Sequence, residues 1–159
     1  DGTMSHQRSA VAMSPDEVAA YLRAGRTAVL VTLGADGYPE PVGMWFVVDD
    51  DGVVWMRTYA KSQKGRNLER DPRVSVLVED GEHYSELRGV QLTGRMELVE
   101  DVERICDVFA GLMVKYEGMD PAHVGAAREG YLVKAPKQRA LRLHVERTVS
   151  WDHGKQAAS

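Results

Sequence analysis

Residues Arg57 to Arg73 read R-T-Y-A-K-S-Q-K-G-R-N-L-E-R-D-P-R and follow the apolar run Val53-Val54-Trp55-Met56. The run is β-rich and predicts a strand that continues to Tyr59, while Lys61 to Arg70 predicts a short helix. Asp71-Pro72 ends that helix, because the residue before a proline resists helical geometry. The stretch is therefore a strand, a turn and a helix. It carries Arg57, Lys61, Lys64, Arg66, Arg70 and Arg73 against Glu69 and Asp71, in a chain whose formal net charge is −4. Basic side chains in the first turn oppose the helix dipole by about 0.5 kcal/mol each unless an anion neutralises them. Ser62 can cap the helix, Gly65 can let a ligand approach the backbone, and the first-turn amides add donors to Lys61 and Lys64. Lys61, Lys64 and Asn67 recur at intervals of three, along one helical edge. A solvated basic face is the plain alternative, but it has no need of the hydroxyls of Thr58 and Ser62, so a phosphate-sized anion is expected. Neither G-x-x-x-x-G-K-[ST] nor G-x-G-x-x-G occurs.

Outward from this stretch the chain alternates short β runs with turns. Ala28 to Leu33, Pro41 to Val48 and Val53 to Tyr59 predict an antiparallel meander across the turns Gly34-Ala35-Asp36-Gly37 and Asp49 to Gly52. The first of these runs is apolar enough to be covered on both sides. Val74 to Glu79 and Gly89 to Val99 add two strands. Arg139 to Trp151 adds a sixth, whose alternation sets Leu141, Leu143, Val145, Val149 and Trp151 on one face. Ser14-Pro15-Asp16-Glu17 is a helix start with a capping box, and Gly25 stops that helix. Asp101 caps a longer helix ending at Gly118, and Asp120-Pro121 opens a shorter one closed by Gly130. Strands joined by tight turns favour a barrel, an α+β arrangement of six or more antiparallel strands. The folded domain is expected over residues 14–151, with Asp1-Gly2-Thr3 as a cloning scar and residues 1–13 and 152–159 flexible.

With 159 residues, 43% hydrophobic, the chain can bury one core. Cys106 is the single cysteine, which excludes a disulfide framework and a cysteine-based zinc site. No apolar run reaches the roughly 20 residues of a membrane helix, so a cytoplasmic protein is expected. The acidic balance argues against general nucleic-acid binding. His6, His83, His123, His144 and His153 are scattered, and no metal site is expected. There is no G-x-S-x-G elbow, and Cys106 sits on an apolar helix face. No catalytic side chain can be assigned. An enzyme with this sequence would rely on a bound cofactor. Trp45 and Trp151 could each pack on a flat ring, or serve core or subunit packing; for Trp55 packing is the better reading.

The turn G-x-D-G-x-P (Gly34 to Pro39), Arg57-Thr58 at a strand end, S-x-K-x-x-N-L-x-R-D-P-R (Ser62 to Arg73) and G-R-M-E-L-V (Gly94 to Val99) together resemble the pyridoxamine-phosphate-oxidase-like split β-barrel, or FMN-binding-like, proteins. More narrowly, they resemble the flavin/deazaflavin oxidoreductases of actinobacteria that use coenzyme F420. The resemblance implies a homodimer with two cofactor sites at the subunit interface and a small-molecule substrate. It puts the cofactor phosphate on Thr58, Ser62 and Lys64, with Arg57 and Asn67 beside it. It sets Met44 and Trp45 against the tricyclic ring and draws Trp151 from the partner chain. The activity implied is hydride transfer between F420 and an organic substrate. FMN has the same phosphate chemistry, which leaves open an FMN-dependent oxidase or a non-catalytic flavin- or tetrapyrrole-binding protein. The chain departs from true pyridoxamine phosphate oxidases in carrying apolar Val42-Gly43-Met44-Trp45-Phe46 where they have a basic motif, and in lacking their arginine-rich end.

Overall fold

The computed structural model describes residues 8–157. Seven strands form one sheet: β1 (Ala28–Leu33), β2 (Pro39–Met44), β3 (Val47–Val48), β4 (Val54–Tyr59), β5 (Arg73–Asp80), β6 (Arg88–Val99) and β7 (Gln138–Asp152). All pairings are antiparallel, in the spatial order β2-β1-β5-β6-β7-β4-β3. The two ends of that order, β2 and β3, are separated in sequence only by Trp45-Phe46. A chain that reaches both sheet edges within two residues makes the sheet curl until the edges meet. The result is the split β-barrel.

This crossing corrects the expected meander. The run Pro41 to Val48 is broken: its first part pairs with β1, and Val47–Val48 pair with Trp55 and Val54 of β4. β4 lies between β3 and β7, and β2 does not touch it as a partner. Local apolar pattern specifies a strand but not the edge it joins. The β1 run is also covered less evenly than expected, since Ala28, Leu30 and Thr32 are buried inside while Val29 and Val31 are half-buried outside.

Inside the curl, Leu30, Phe46, Met56, Val76, Val90 and Leu141 are almost fully buried in one core. Helix α1 (Pro15–Ala24) starts with the expected Ser14 capping box and Pro15, and its Leu22 enters that core. Helices α3 (Val102–Glu117) and α4 (Val124–Tyr131) cover a second core around Trp55, Ile105, Cys106 and Ala140. Burial raises the pKa of the Cys106 thiol, as suits a packing residue. A four-residue helix, α5 (Gly154–Ala157), follows β7.

The face assignment of β7 is corrected too. Thr93 pairs with Arg147 but Gly94 pairs with Val145, so Glu146 is an extra residue in the strand. A bulge of one residue reverses the alternation beyond it. Leu141 and Leu143 are buried, and beyond the bulge Val149 faces out and is 46% exposed; Val145, before the bulge, keeps the inner parity and is 47% exposed where β7 runs past β4. Gly94 makes the bulge possible, because a Cβ there would run into the His144 carbonyl. The chain also packs beyond the limits 14 and 151: Val11 is buried, the Met13 amide donates to Ser150 Oγ at 3.0 Å, and Lys155 Nζ donates to the Ala12 carbonyl at 3.0 Å.

The basic helix α2 (Gln63–Arg70) is fixed to the barrel by the buried side chains of Leu68 and Asn67, of which Asn67 makes the polar tie. Asn67 Nδ2 donates to Thr32 Oγ1 at 3.0 Å and to Glu40 Oε2 at 3.1 Å. Its Oδ1 accepts from Gln63 Nε2 and Arg70 Nη2, both at 3.0 Å. Gly34 leaves room for Glu40, since a Cβ there would overlap the carboxylate. Replacing Asn67 by alanine strands the Thr32 hydroxyl and the Glu40 carboxylate, so Asn67→Ala is expected to lose about 1–3 kcal/mol in urea unfolding. An unchanged midpoint would show that the network is not needed.

Candidate functional site

The end of β4 and the start of α2 bring two hydroxyls together: Thr58 Oγ1 and Ser62 Oγ lie 2.8 Å apart. Ser62 is the N-cap and accepts from the Gly65 amide at 3.0 Å. The first turn has no acidic residue, and α2 begins at Gln63, two residues later than the sequence suggests. Gly65 has a different reason from the one expected. It is buried, and a Cβ would meet Ala60 O and Ser62 Oγ at 3.1 Å, so glycine lets the helix sit tightly on its turn.

Lys61, Lys64 and Arg66 have no ion-pair partner among the described residues. Lys137 joins them from the turn before β7, where its carbonyl accepts from the Ala60 amide at 2.9 Å. Sequence spacing could not find Lys137, because the contact crosses 77 residues. The Ser62 and Thr58 hydroxyls, the first-turn amides and the lysines at the start of α2 are the donor set for a phosphate. The group fits here.

Two residues that the resemblance set beside the phosphate are committed elsewhere. The four hydrogen bonds of Asn67 use its whole amide. Arg57 faces the second core, with Nη1 2.5 Å from the Tyr131 hydroxyl and 3.3 Å from Gln138 Oε1. Its guanidinium lies 5.7 Å from the centroid of Phe109 and 5.5 Å from that of Tyr131. Alternation along β4 turns Arg57 away from the face that carries Thr58.

Met44 and Trp45 stand at the other end of β2. Met44 packs against the barrel core, and Trp45 turns out and is 44% exposed. One face of its indole stacks on Tyr116 at 4.4 Å and 3°, and Arg26 lies 4.7 Å from the Tyr116 ring. The Tyr116 hydroxyl accepts from the Phe46 amide at 3.0 Å and donates to its carbonyl at 3.1 Å. Lys115 Nζ donates to the same carbonyl at 3.0 Å. The crossing that closes the barrel is thus clamped from α3, by residues that sequence reading did not single out.

Trp151 is remote from α2 within one chain. It pairs with Gly89, which pairs with Glu79, six residues along β5 from Arg73 beside the basic helix. That is about 20 Å at ~3.3 Å per residue. It lines a cavity of 1380 Å³ between residues 8–18 and the end of β7. A second cavity, of 520 Å³, lies between α1 and the ends of β5 and β6. Neither touches the basic stretch. Among the described residues, no group of three or more His, Cys, Asp or Glu is placed to hold a metal ion, and no helix is long and apolar enough to cross a membrane.

The family model for pyridoxamine 5'-phosphate oxidase matches residues 14–152. The chain belongs to that family. A conserved hypothetical protein from Mycobacterium tuberculosis is 39% identical, with a TM-score of 0.85 over 94% of this chain and 91% of that one. An F420 reductase is 22% identical, with a TM-score of 0.61 over 81% of this chain and 93% of that one. The heme storage protein HutZ from Vibrio cholerae is 22% identical, with a TM-score of 0.64 over 88% of this chain and 97% of that one. The last two likenesses are likenesses of fold. No curated protein matches the chain.

Burial, with the charge of Arg26 as the lesser cause, lowers the pKa of Lys115 from its ordinary value of 10.5 to about 8. Between those values the unfolded chain holds a proton that the folded chain has released, so this group makes stability rise with pH in that window. Wild type is therefore expected to gain stability relative to Lys115→Met between pH 8 and about 10.5. Urea unfolding at each pH checks it, and a pH-independent difference would refute the assignment.

Proposed function

We propose that this protein is an F420-dependent oxidoreductase, acting as a cytoplasmic homodimer. The observation that carries the reading is the anion site at the start of α2: Thr58 and Ser62 hydroxyls 2.8 Å apart, a first turn without acids, and neighbouring unpaired lysines. Lys64, Lys61, Ser62 and Thr58 would hold the cofactor phosphate by charge-assisted hydrogen bonds. Arg66 and Lys137 supply more positive charge than one phosphate requires, which favours F420, with carboxylates in its tail, over FMN.

Met44 and Trp45 would border the ring. The side chain of Trp45 is already oriented on Tyr116, so its exposed indole face needs no reordering to stack. The cofactor supplies hydride chemistry; the chain binds and orients it, and excludes water from the ring. A dimer is supported by two features of the single chain. Lys61 and Arg66 beside the anion site are exposed, and Val29, Leu77, Gln91 and Val149 form one partly exposed row across four strands. Packing two such rows together would bring Trp151 of the partner subunit toward the site.

Titration of the protein with F420 and with FMN, followed by fluorescence, tests this. F420 is expected to bind more tightly than FMN, and Lys64→Ala to weaken F420 about tenfold. Tighter binding of FMN would shift the reading to an FMN-dependent oxidase or a flavin carrier. Full F420 affinity in Lys64→Ala would remove the anchor.

A further inference from the structure

The cavity at the end of β7 is not explained by the anion site. Val11, Met13 and Val18 form one wall of its 1380 Å³, and Thr148, Ser150 and Trp151 the other. Gly89 makes room for the Trp151 indole, which a Cβ would overlap. No carboxylate lines the cavity, but Arg8 does, and it has no ion-pair partner among the described residues. His153 also lines it, edge-on to Tyr84 with ring centroids 4.5 Å apart. The Nδ1 of His153 is buried without a hydrogen-bond partner. Such a nitrogen has lost water with nothing in exchange, so a shift of the His153 ring that brought it to a polar atom of a ligand would restore the bond.

We propose that this cavity binds a flat aromatic molecule bearing one carboxylate. An apolar and aromatic wall with few convergent polar groups is the composition of small-molecule sites. The guanidinium of Arg8 matches a carboxylate, the Trp151 indole matches an aromatic ring, and His153 takes a polar ring atom. Glu17 does not compete, because it is held by Lys155 Nζ at 2.8 Å and by the Ser14 amide at 3.0 Å. If Trp151 meets the cofactor ring of the other subunit, the cavity presents its ligand to that ring and the ligand is the hydride acceptor. That last placement rests on the proposed function; the binding does not.

The test is calorimetric titration of cofactor-free protein with indole-3-carboxylate, its amide and cyclohexanecarboxylate. The aromatic carboxylate is expected to bind about tenfold more tightly than either of the others. Arg8→Ala should abolish its advantage over the amide, and His153→Phe, which keeps the edge contact with Tyr84, should weaken both indoles. Equal binding of the three probes, no binding by a protein of normal melting temperature, or unchanged affinities in both variants would overturn the proposal. F420 titration of the wild type separates the two readings. Equal binding of the three probes with intact F420 binding condemns the cavity alone, and selective carboxylate binding without F420 binding condemns the cofactor assignment alone.

Discussion

The buried amide of Asn67 is the interaction on which the rest of the architecture depends. It ties α2 to β1 through Thr32 and to β2 through Glu40, with Gln63 and Arg70 completing its acceptor. A short helix with glycine inside it and basic charge in its first turn has little stability of its own. Held by Asn67 and by Leu68 in the core, its N-terminus is fixed beside Thr58. An anion site needs its donors to be in place before the ligand arrives, since ordering them on binding would consume affinity.

A second constraint acts at the opposite end of β2. Trp45-Phe46 must carry the chain from one sheet edge to the other, which leaves the backbone of Phe46 outside a continuous ladder. The Tyr116 hydroxyl satisfies both its amide and its carbonyl. The same ring stacks on Trp45, so the closure of the barrel and the orientation of the exposed indole are one arrangement. Lys115 adds a half-buried cation to the Phe46 carbonyl, and α3 thereby serves both the second core and the crossing.

Legibility in the sequence followed the range of the interaction. The capping box at Ser14, the Ser62 cap, the Asp71-Pro72 stop and most strand limits are set by residues within a few positions of each other, and they read correctly. The edge that each strand joins is set by long-range pairing, and there the meander failed. The bulge at Glu146 failed for a related reason, because one extra residue reverses a face without changing the alternation visible in the sequence. At the site, the hydroxyl and lysine cluster was legible as local charge and capping. Motif spacing does not reveal that Arg57 lies against Tyr131 and Asn67 against Thr32. Tyr116, Lys137 and His153 gave no local signal at all.

We propose that the start of α2 is the phosphate anchor of a ring cofactor whose site a second subunit completes. The test is an experimental structure of the protein with F420 bound. The phosphate is expected within hydrogen-bonding distance of Thr58, Ser62 and Lys64, with the ring beside Trp45 and approached by Trp151 of the partner subunit. A phosphate bound away from α2, or a ring enclosed by one chain alone, would contradict it.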